Sequence, residues 1–354
     1  MLPVTCKMMH MLDDLKFIHE RDVQDALGVA EKQWQQLAYK YQVPSTKYQD
    51  IENVVVAGMG GSALAATLIN SWPKLAVPYE VVRDYEVPNY IGAKTLFVAS
   101  SYSGNTEEAL AALQAAEAQG CMIAVIAAGG KLVTRATEMG YPLYRIPEGL
   151  QPRMAVFYNF AALVQLFETV GLIGQGSIKE LEAAATWLSG EQTDWLPTVP
   201  AKDNPAKKLA QELMGKSPVI YAGPKLFPCA YKWKINFNEN SKNVAWCNQL
   251  PEFNHNEFLG WTSHPTDKPY AIVDLRSNLE NARVQKRFEV TERLLSGKRP
   301  RTHVVQAQGK TLLKQLLWVV VLGDFVSLYL ALLNGLNPTP VDLIEKLKTA
   351  MQQE

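Results

Sequence analysis

Three hydroxyl side chains, those of Ser101, Ser103 and Thr106, lie on one short stretch of the sequence that also contains Gly104. Such a loop can bind a phosphate monoester, because hydroxyls and main-chain amides donate to phosphate oxygens and a glycine lets the backbone approach closely. The alternative is a capping sequence in which Thr106 or Asn105 caps the following helix. A cap needs one hydroxyl and this loop has three, so we predict a phosphate site.

A second glycine-rich stretch, Gly58 to Ala63, follows an apolar run that is typical of a buried strand. Its G-x-G-x-x-A pattern also matches the dinucleotide-binding fingerprint, and Asp84 falls near the end of the next predicted strand. An NAD-dependent oxidoreductase is therefore a rival interpretation. The dinucleotide fold gives no reason for a second polar loop, and close backbone approach to a sugar phosphate equally requires Gly60 and Gly61. We include both glycines and Ser62 in the candidate site.

Strands that alternate with helices must position these loops. Apolar runs predict strands at 54–57, 79–82, 95–100, 122–127 and 143–146, separated by helical stretches. This alternation predicts an α/β fold with a doubly wound parallel sheet, in which ligands bind beyond the carboxyl ends of the strands. A second series with strands near 219–222 and 270–274 suggests an internal duplication.

We accordingly divide the chain into four parts. They are an N-terminal helical segment at 1–45, a first α/β domain at 46–172, a connection at 173–205, and a second α/β domain with a C-terminal helix at 206–354.

Composition excludes several classes of partner. Lys plus Arg and Asp plus Glu both number 35, so the chain offers no general attraction for nucleic acid or an acidic membrane. The apolar run from Leu316 to Leu333 has Asp324 in its middle, which favours a buried helix over a membrane span. Cys6, Cys121, Cys229 and Cys247 are scattered, and the N-terminus lacks a signal-peptide pattern. We expect a cytoplasmic protein with reduced thiols.

The pairing of the two loops resembles sugar isomerase (SIS) domains, and further segments resemble the bifunctional phosphoglucose/phosphomannose isomerases of that superfamily. Those segments are Gln151-Pro152-Arg153, Asn238 to Lys242, Pro251 to Glu257, and Pro338 to Val341 running on to Lys348. The resemblance extends from about Val54 to Lys348. It implies two tandem SIS domains, a homodimer, and isomerisation of glucose 6-phosphate and mannose 6-phosphate to fructose 6-phosphate through a cis-enediol, with no metal or organic cofactor.

The resemblance also implies roles for four side chains. Glu239 would carry the proton from C2 to C1, since a carboxylate can act first as base and then as acid. His255, reaching the site from the neighbouring subunit, would open the sugar ring. Arg153 would stabilise the enediolate with its permanent charge. Lys348, or its neighbour Lys346, would assist ring opening or bind a hydroxyl.

Other interpretations of the same residues stay open. Without the resemblance, Glu239 would be a surface glutamate paired with Lys242, and Lys348 a solvated lysine. Besides the oxidoreductase, the alternatives are a non-catalytic sugar-phosphate-binding protein and an amidotransferase-type aminosugar isomerase, which would need a glutaminase partner or domain. No two histidines stand three or four residues apart in the sequence, so we expect no zinc site.

Overall fold

The computed structural model describes residues 11–43, 48–263 and 269–351 of the chain. Its strands are β1 (Asn53–Ala57), β2 (Tyr79–Val82), β3 (Thr95–Ser101), β4 (Met122–Ala127), β5 (Leu143–Arg145), β6 (Ser217–Ala222), β7 (Trp246–Gln249), β8 (Tyr270–Arg276) and β9 (Thr302–Gln306). Its helices are α1 (Leu15–Arg21), α2 (Ala26–Lys32), α3 (Trp34–Leu37), α4 (Gly60–Ile69), α5 (Glu107–Ala118), α6 (Gly130–Met139), α7 (Val156–Thr169), α8 (Ser177–Glu191), α9 (Pro205–Leu213), α10 (Phe227–Glu239), α11 (Glu257–Gly260), α12 (Ala282–Leu294), α13 (Leu312–Leu333) and α14 (Asp342–Met351).

The chain forms two compact units, each built from separated stretches of sequence. The first unit contains Lys32–Gly190 and Gly309–Leu317, and the second contains Met1–Glu31, Glu191–Gln308 and Trp318–Glu354. The linear domain boundaries given above stay a prediction.

A parallel five-stranded sheet forms the centre of the first unit, with strand order β2-β1-β3-β4-β5. Its three inner strands β1, β3 and β4 are almost entirely buried, as expected for strands that helices cover on both faces. The chain leaves β1 for β2 on one side and then returns to β3 on the other side. The strand order therefore reverses between β1 and β3, where an open parallel sheet leaves a crevice for ligands.

The second unit repeats this plan in a four-stranded parallel sheet with the order β7-β6-β8-β9. The reversal here lies between β6 and β8. The predicted tandem, doubly wound α/β fold is confirmed. The edge strands β7 and β9 were not predicted, because their exposed side breaks the apolar run that marks a buried strand.

The long apolar helix α13 is buried in protein, which confirms the prediction for residues 316–333. It is long and apolar enough to cross a membrane, but 94% of its most apolar 18-residue window is buried. In the second unit Asp324 forms an ion pair with Lys232 of α10 and accepts a hydrogen bond from Asn236 Nδ2 at 2.6 Å. The Trp233 Nε1–H donates to the main-chain oxygen of Val319 at 2.8 Å. These contacts hold α10 against α13.

The thiols that the structure describes are chemically quiet. Cys121, Cys229 and Cys247 form no disulfides among the described residues, and Cys6 lies outside them. Burial raises the pKa of Cys247 to about 11 and raises that of Cys229 further. Both side chains therefore stay protonated and are poor nucleophiles near neutral pH.

Replacing Lys232 with Met should destabilise the second unit by about 3–5 kcal/mol, because the Asp324 carboxylate would stay buried without its cation. The double variant Lys232→Met/Asp324→Leu should recover most of this loss. The midpoint of urea unfolding measures both effects. Equal midpoints for the wild type and Lys232→Met would contradict the assignment.

Candidate functional site

The hydroxyls predicted to bind phosphate converge at the start of α5. Ser101 Oγ lies 2.7 Å from Thr106 Oγ1 and 3.5 Å from Ser103 Oγ. The Ser101 oxygen also accepts a hydrogen bond from the Gly104 amide at 3.1 Å. Thr106 occupies the capping position, but its hydroxyl is directed to Ser101 and makes no side-chain capping bond to α5 within the described structure. The geometry thus differs from a simple helix cap.

A neighbouring loop braces the predicted phosphate loop, which we define as residues Ser101 to Thr106 and call the phosphate loop below. A Cβ at Gly104, which has φ +68°, would lie 1.7 Å from the main-chain oxygen of Gly129. The Leu132 amide donates to the Gly104 oxygen at 3.0 Å, and the Lys131 amide donates to Asn105 Oδ1 at 3.0 Å. Asn105 therefore holds the loop in place. This support was not predicted from the sequence, although the double glycine after β4 at the same sheet edge was a signal for it.

The glycine turn at the start of α4 has three residues with separate roles. A Cβ at Gly60, with φ +47°, would point into open space, whereas a Cβ at Gly61 would lie 2.3 Å from the main-chain oxygen of Pro152. The Ser62 side chain is buried, and its Oγ accepts a hydrogen bond from the Tyr102 amide at 3.1 Å. Packing against Pro152 accounts for the second glycine, and Ser62 joins the turn to the phosphate loop.

Arg153 lies on the 3₁₀ turn Pro152–Met154 in the same unit, next to Gly61. Its side chain is 1% exposed, and Nη1 donates to Gln151 Oε1 at 3.3 Å. A buried cation positioned beside the glycine turn can stabilise negative charge strongly, because water screens it little. The structure therefore brings Arg153 to the same end of the first sheet as the glycine turn.

Tyr102, which sequence analysis did not select, links these parts. Its hydroxyl donates to the Pro147 oxygen at 2.9 Å and accepts from the Leu150 amide at 2.9 Å. Burial raises the pKa of Tyr102, so the phenol stays protonated and keeps both bonds at neutral pH. The phosphate loop is thereby tied to the chain segment that leads into Arg153.

Replacing Gly104 with Ala should destabilise the first unit by about 1–3 kcal/mol more than replacing Gly120 with Ala. Both glycines have a positive φ, +68° and +69°, so the cost of left-handed backbone is matched, but only Gly104 faces Gly129 within contact distance. Thermal unfolding measures the difference. Equal losses in the two variants would show that the close contact does not constrain the loop.

In the second unit, Glu239 is the last residue of α10 and is partly exposed. The Lys242 ammonium donates to the main-chain oxygen of Glu239 at 2.6 Å and to that of Pro338 at 3.1 Å. Asn240 is buried, and its Nδ2 donates to Ser327 Oγ of α13 at 2.9 Å. The end of α10 is therefore fixed by bonds to its own backbone and to α13.

His255 ends the 3₁₀ turn Glu252–His255 and is exposed. The preceding residue, Asn254, forms hydrogen bonds with two side chains of α12. Its Nδ2 donates to Thr291 Oγ1 at 2.9 Å, and its Oδ1 accepts from Arg287 Nη1 at 3.3 Å. The exposed imidazole of His255 thus comes directly after a residue that is held in place by α12.

Glu257, two residues after His255, is held in place by side chains of the second sheet. Glu257 accepts hydrogen bonds from Asn248 Nδ2 at 2.7 Å and from the Tyr221 hydroxyl. The Tyr221 hydroxyl in turn accepts from Trp261 Nε1 at 3.0 Å. In the sequence Glu257 was named only as the end of the segment Pro251 to Glu257, and its contacts to β6 and β7 could not be read from the local pattern.

Lys348 lies on α14, where every residue that the structure describes from Asp342 onwards is exposed. Its ammonium lies 2.8 Å from Glu345 Oε1 one turn away. Lys346 is exposed as well, so burial does not distinguish the two lysines. Across residues 11–43, 48–263 and 269–351, no group of three or more His, Cys, Asp or Glu side chains is arranged to hold a metal ion.

Comparison with solved structures gives the class of fold. A glucose-6-phosphate isomerase-like protein from Thermus thermophilus superimposes with a TM-score of 0.64 at 20% identity, covering 94% of this chain and 99% of that one. Phosphosugar isomerases are thus among the proteins that share the fold of tandem parallel sheets.

The family is given by closer relatives. Residues 202–351 match the bacterial phospho-glucose isomerase C-terminal SIS domain. A bifunctional phosphoglucose/phosphomannose isomerase from Caldicellulosiruptor bescii is 38% identical over 87% of this chain and 92% of its own length. The equivalent protein from Thermoplasma volcanium is 35% identical over 86% of this chain and 93% of its own. The chain belongs to the bifunctional phosphoglucose/phosphomannose isomerase family.

Proposed function

We propose that this protein is an aldose–ketose isomerase that interconverts glucose 6-phosphate and mannose 6-phosphate with fructose 6-phosphate. The observation that carries the proposal is the cluster of Ser101, Ser103 and Thr106 hydroxyls at the strand-order reversal of the first sheet. It occurs in a chain that is 38% identical to a named isomerase of these sugars. Family membership also argues against the NAD-dependent oxidoreductase alternative.

The phosphate group would be held by the phosphate loop. The hydroxyls of Ser103 and Thr106 each lie within 3.5 Å of the Ser101 hydroxyl, and the first amides of α5 have a partial positive charge. The open backbone at Gly60 and the turn through Gly61 and Ser62 suit contact with the sugar. Binding the phosphate in this way fixes the sugar while its other end reacts.

We assign the proton transfer to Glu239. The carboxylate takes the proton from C2, and a cis-enediol forms as the carbonyl oxygen receives a proton. The same carboxylate then returns its proton to C1 while the C2 hydroxyl loses a proton, which offsets the proton that the C1 oxygen gained, and the ketose is formed. Glucose and mannose differ only at C2, whose configuration is lost in the enediol. One site can therefore process both sugars.

Arg153 would stabilise the enediolate oxygens. A guanidinium remains protonated throughout the physiological pH range, and the burial of Arg153 keeps water from screening its charge. The bond to Gln151 and the packing of Pro152 on Gly61 support this assignment, because they fix the guanidinium before substrate arrives.

We assign ring opening to His255 of a neighbouring subunit, with Lys348 or Lys346 assisting or binding a hydroxyl. The exposed imidazole on a clamped loop supports this role, since such a side chain can enter a second chain without rearranging its own backbone. The proposed enzyme is accordingly a homodimer. The described cysteines form no disulfide with one another, which is in keeping with a cytoplasmic enzyme.

Incubating the pure protein with fructose 6-phosphate should produce both glucose 6-phosphate and mannose 6-phosphate, which proton NMR resolves by their anomeric signals. Glu239→Gln is the matched control, and its turnover should fall by about 10²–10⁴-fold because the shuttle is removed. A protein that binds fructose 6-phosphate without converting it would instead be a sugar-phosphate-binding protein.

Mixing inactive Glu239→Gln and His255→Ala dimers should restore about a quarter of wild-type activity, because half of the exchanged dimers are hybrids and each hybrid has one intact site of two. Turnover after subunit exchange measures the restoration, and co-purification of two tags confirms that exchange took place. Complete exchange without restored turnover would place both residues in a site of one chain.

A further inference from the structure

The second unit contains a loop in the same topological position as the phosphate loop. Five residues separate Arg276, which ends β8, from the start of α12, and five residues likewise separate Ser101 from the start of α5. The strand order reverses between β1 and β3 in the first unit and between β6 and β8 in the second. In each unit this loop follows the later strand of the pair, β3 or β8. It lies next to the turn that follows the earlier strand, β1 or β6. The duplicated fold thus offers the same crevice twice.

The serine-rich character of the first loop is absent from the second. In equal-length alignment, Leu279 stands where the first unit has Gly104, and Glu280 stands where it has Asn105. Arg276, Asn278 and Asn281 stand where the first unit has the hydroxyl residues Ser101, Ser103 and Thr106. The Leu279 amide donates to Ser277 Oγ at 3.0 Å, although Ser277 itself aligns with Tyr102. The hydroxyls predicted to bind phosphate are therefore absent from the second loop.

The Glu280 carboxylate fills the crevice of the second unit. Glu280 is 8% exposed. Its Oε2 accepts a hydrogen bond from the Lys225 amide at 3.0 Å, and its Oε1 accepts from the Asn281 amide at 3.1 Å. These two amides come from the turn after β6 and the loop after β8. One carboxylate therefore bridges the two segments that would surround a ligand.

Gly223 and Lys225, which follow β6, lie close to this carboxylate and its loop. A Cβ at Gly223, the residue after β6, would lie 2.5 Å from Glu280 Oε2, so a larger residue there would require the carboxylate to move from this position. The Lys225 ammonium also donates to the Leu279 oxygen, which closes the two segments over it. Main-chain amides at the start of helices favour a negative charge.

We infer that Glu280 is a built-in anion that occupies the position corresponding to the phosphate site in the first unit. Each chain would then bind one sugar phosphate, at Ser101–Thr106, and the crevice of the second unit would be closed to substrate. Removing the carboxylate would open that crevice to a small oxyanion such as inorganic phosphate. The inference rests on the proposed function only for the identity of the first site.

Glu280→Ala should unfold at a lower temperature than the wild type, and inorganic phosphate should raise its melting temperature by about 2–4 °C more than it raises that of the wild type. Glu280→Gln, whose amide still fills the crevice, should show no such additional rise. Glu289→Ala, which removes an exposed carboxylate of α12, controls for the change in net charge.

Equal phosphate responses of Glu280→Ala and the wild type would overturn the inference. The wild-type chain supplies a second test that does not depend on the folding of any variant. Isothermal titration with fructose 6-phosphate should give one equivalent per chain, and two equivalents would also overturn it. Neither readout uses turnover, so a failure of the isomerase assay would be distinguished from a failure of this inference.

Discussion

The buried ion pair between Lys232 and Asp324 is the interaction on which the arrangement of the second unit depends. A carboxylate inside an apolar helix is costly, and it is tolerated only where a cation and further donors meet it. Lys232 and Asn236 lie one turn apart on α10, so satisfying Asp324 fixes the rotation and height of α10 against α13. Glu239 lies at the end of that helix. The need to pair the buried Asp324 carboxylate thus determines the position of Glu239, to which we assign the proton transfer.

The topology of the sheets imposes a second constraint, because a strand-order reversal brings two loops together whatever their sequences are. In the first unit the loops are joined by the bond between Ser62 and the Tyr102 amide, and in the second unit by the Glu280 carboxylate. The same crevice is thus built twice with different contents. One copy presents hydroxyls and the other presents its own carboxylate.

Much of this structure follows from local patterns in the sequence. The apolar runs predicted the central strands, and the glycine and serine motifs predicted the parts of the site that lie directly after β1 and β3. Those features depend on neighbouring residues only. The resemblance to a family supplied Glu239, His255, Arg153 and Lys348, which no pattern of spacing could have selected by itself, and their roles stay predictions.

The supporting contacts could not be predicted because they join distant residues. Tyr102 bonds to residues more than forty positions away, Glu280 to Lys225 at a separation of 55, and Asn248 to Glu257 across a loop. Aromatic, acidic and amide residues occur at many positions in any chain, and only the fold decides which of them meet. Glycines were the exception, since a Cβ at Gly61 or Gly104 is excluded by the backbone it would meet.

The carboxylate in the second crevice has a consequence for how the protein responds to its surroundings. A free ligand occupies a site according to its concentration, which rises and falls with supply. A side chain attached to the same loop has a fixed effective concentration that no dilution or depletion can change. On this proposal the second unit would be in its filled state from the moment it folds, and only the first unit would exchange an anion with the solution.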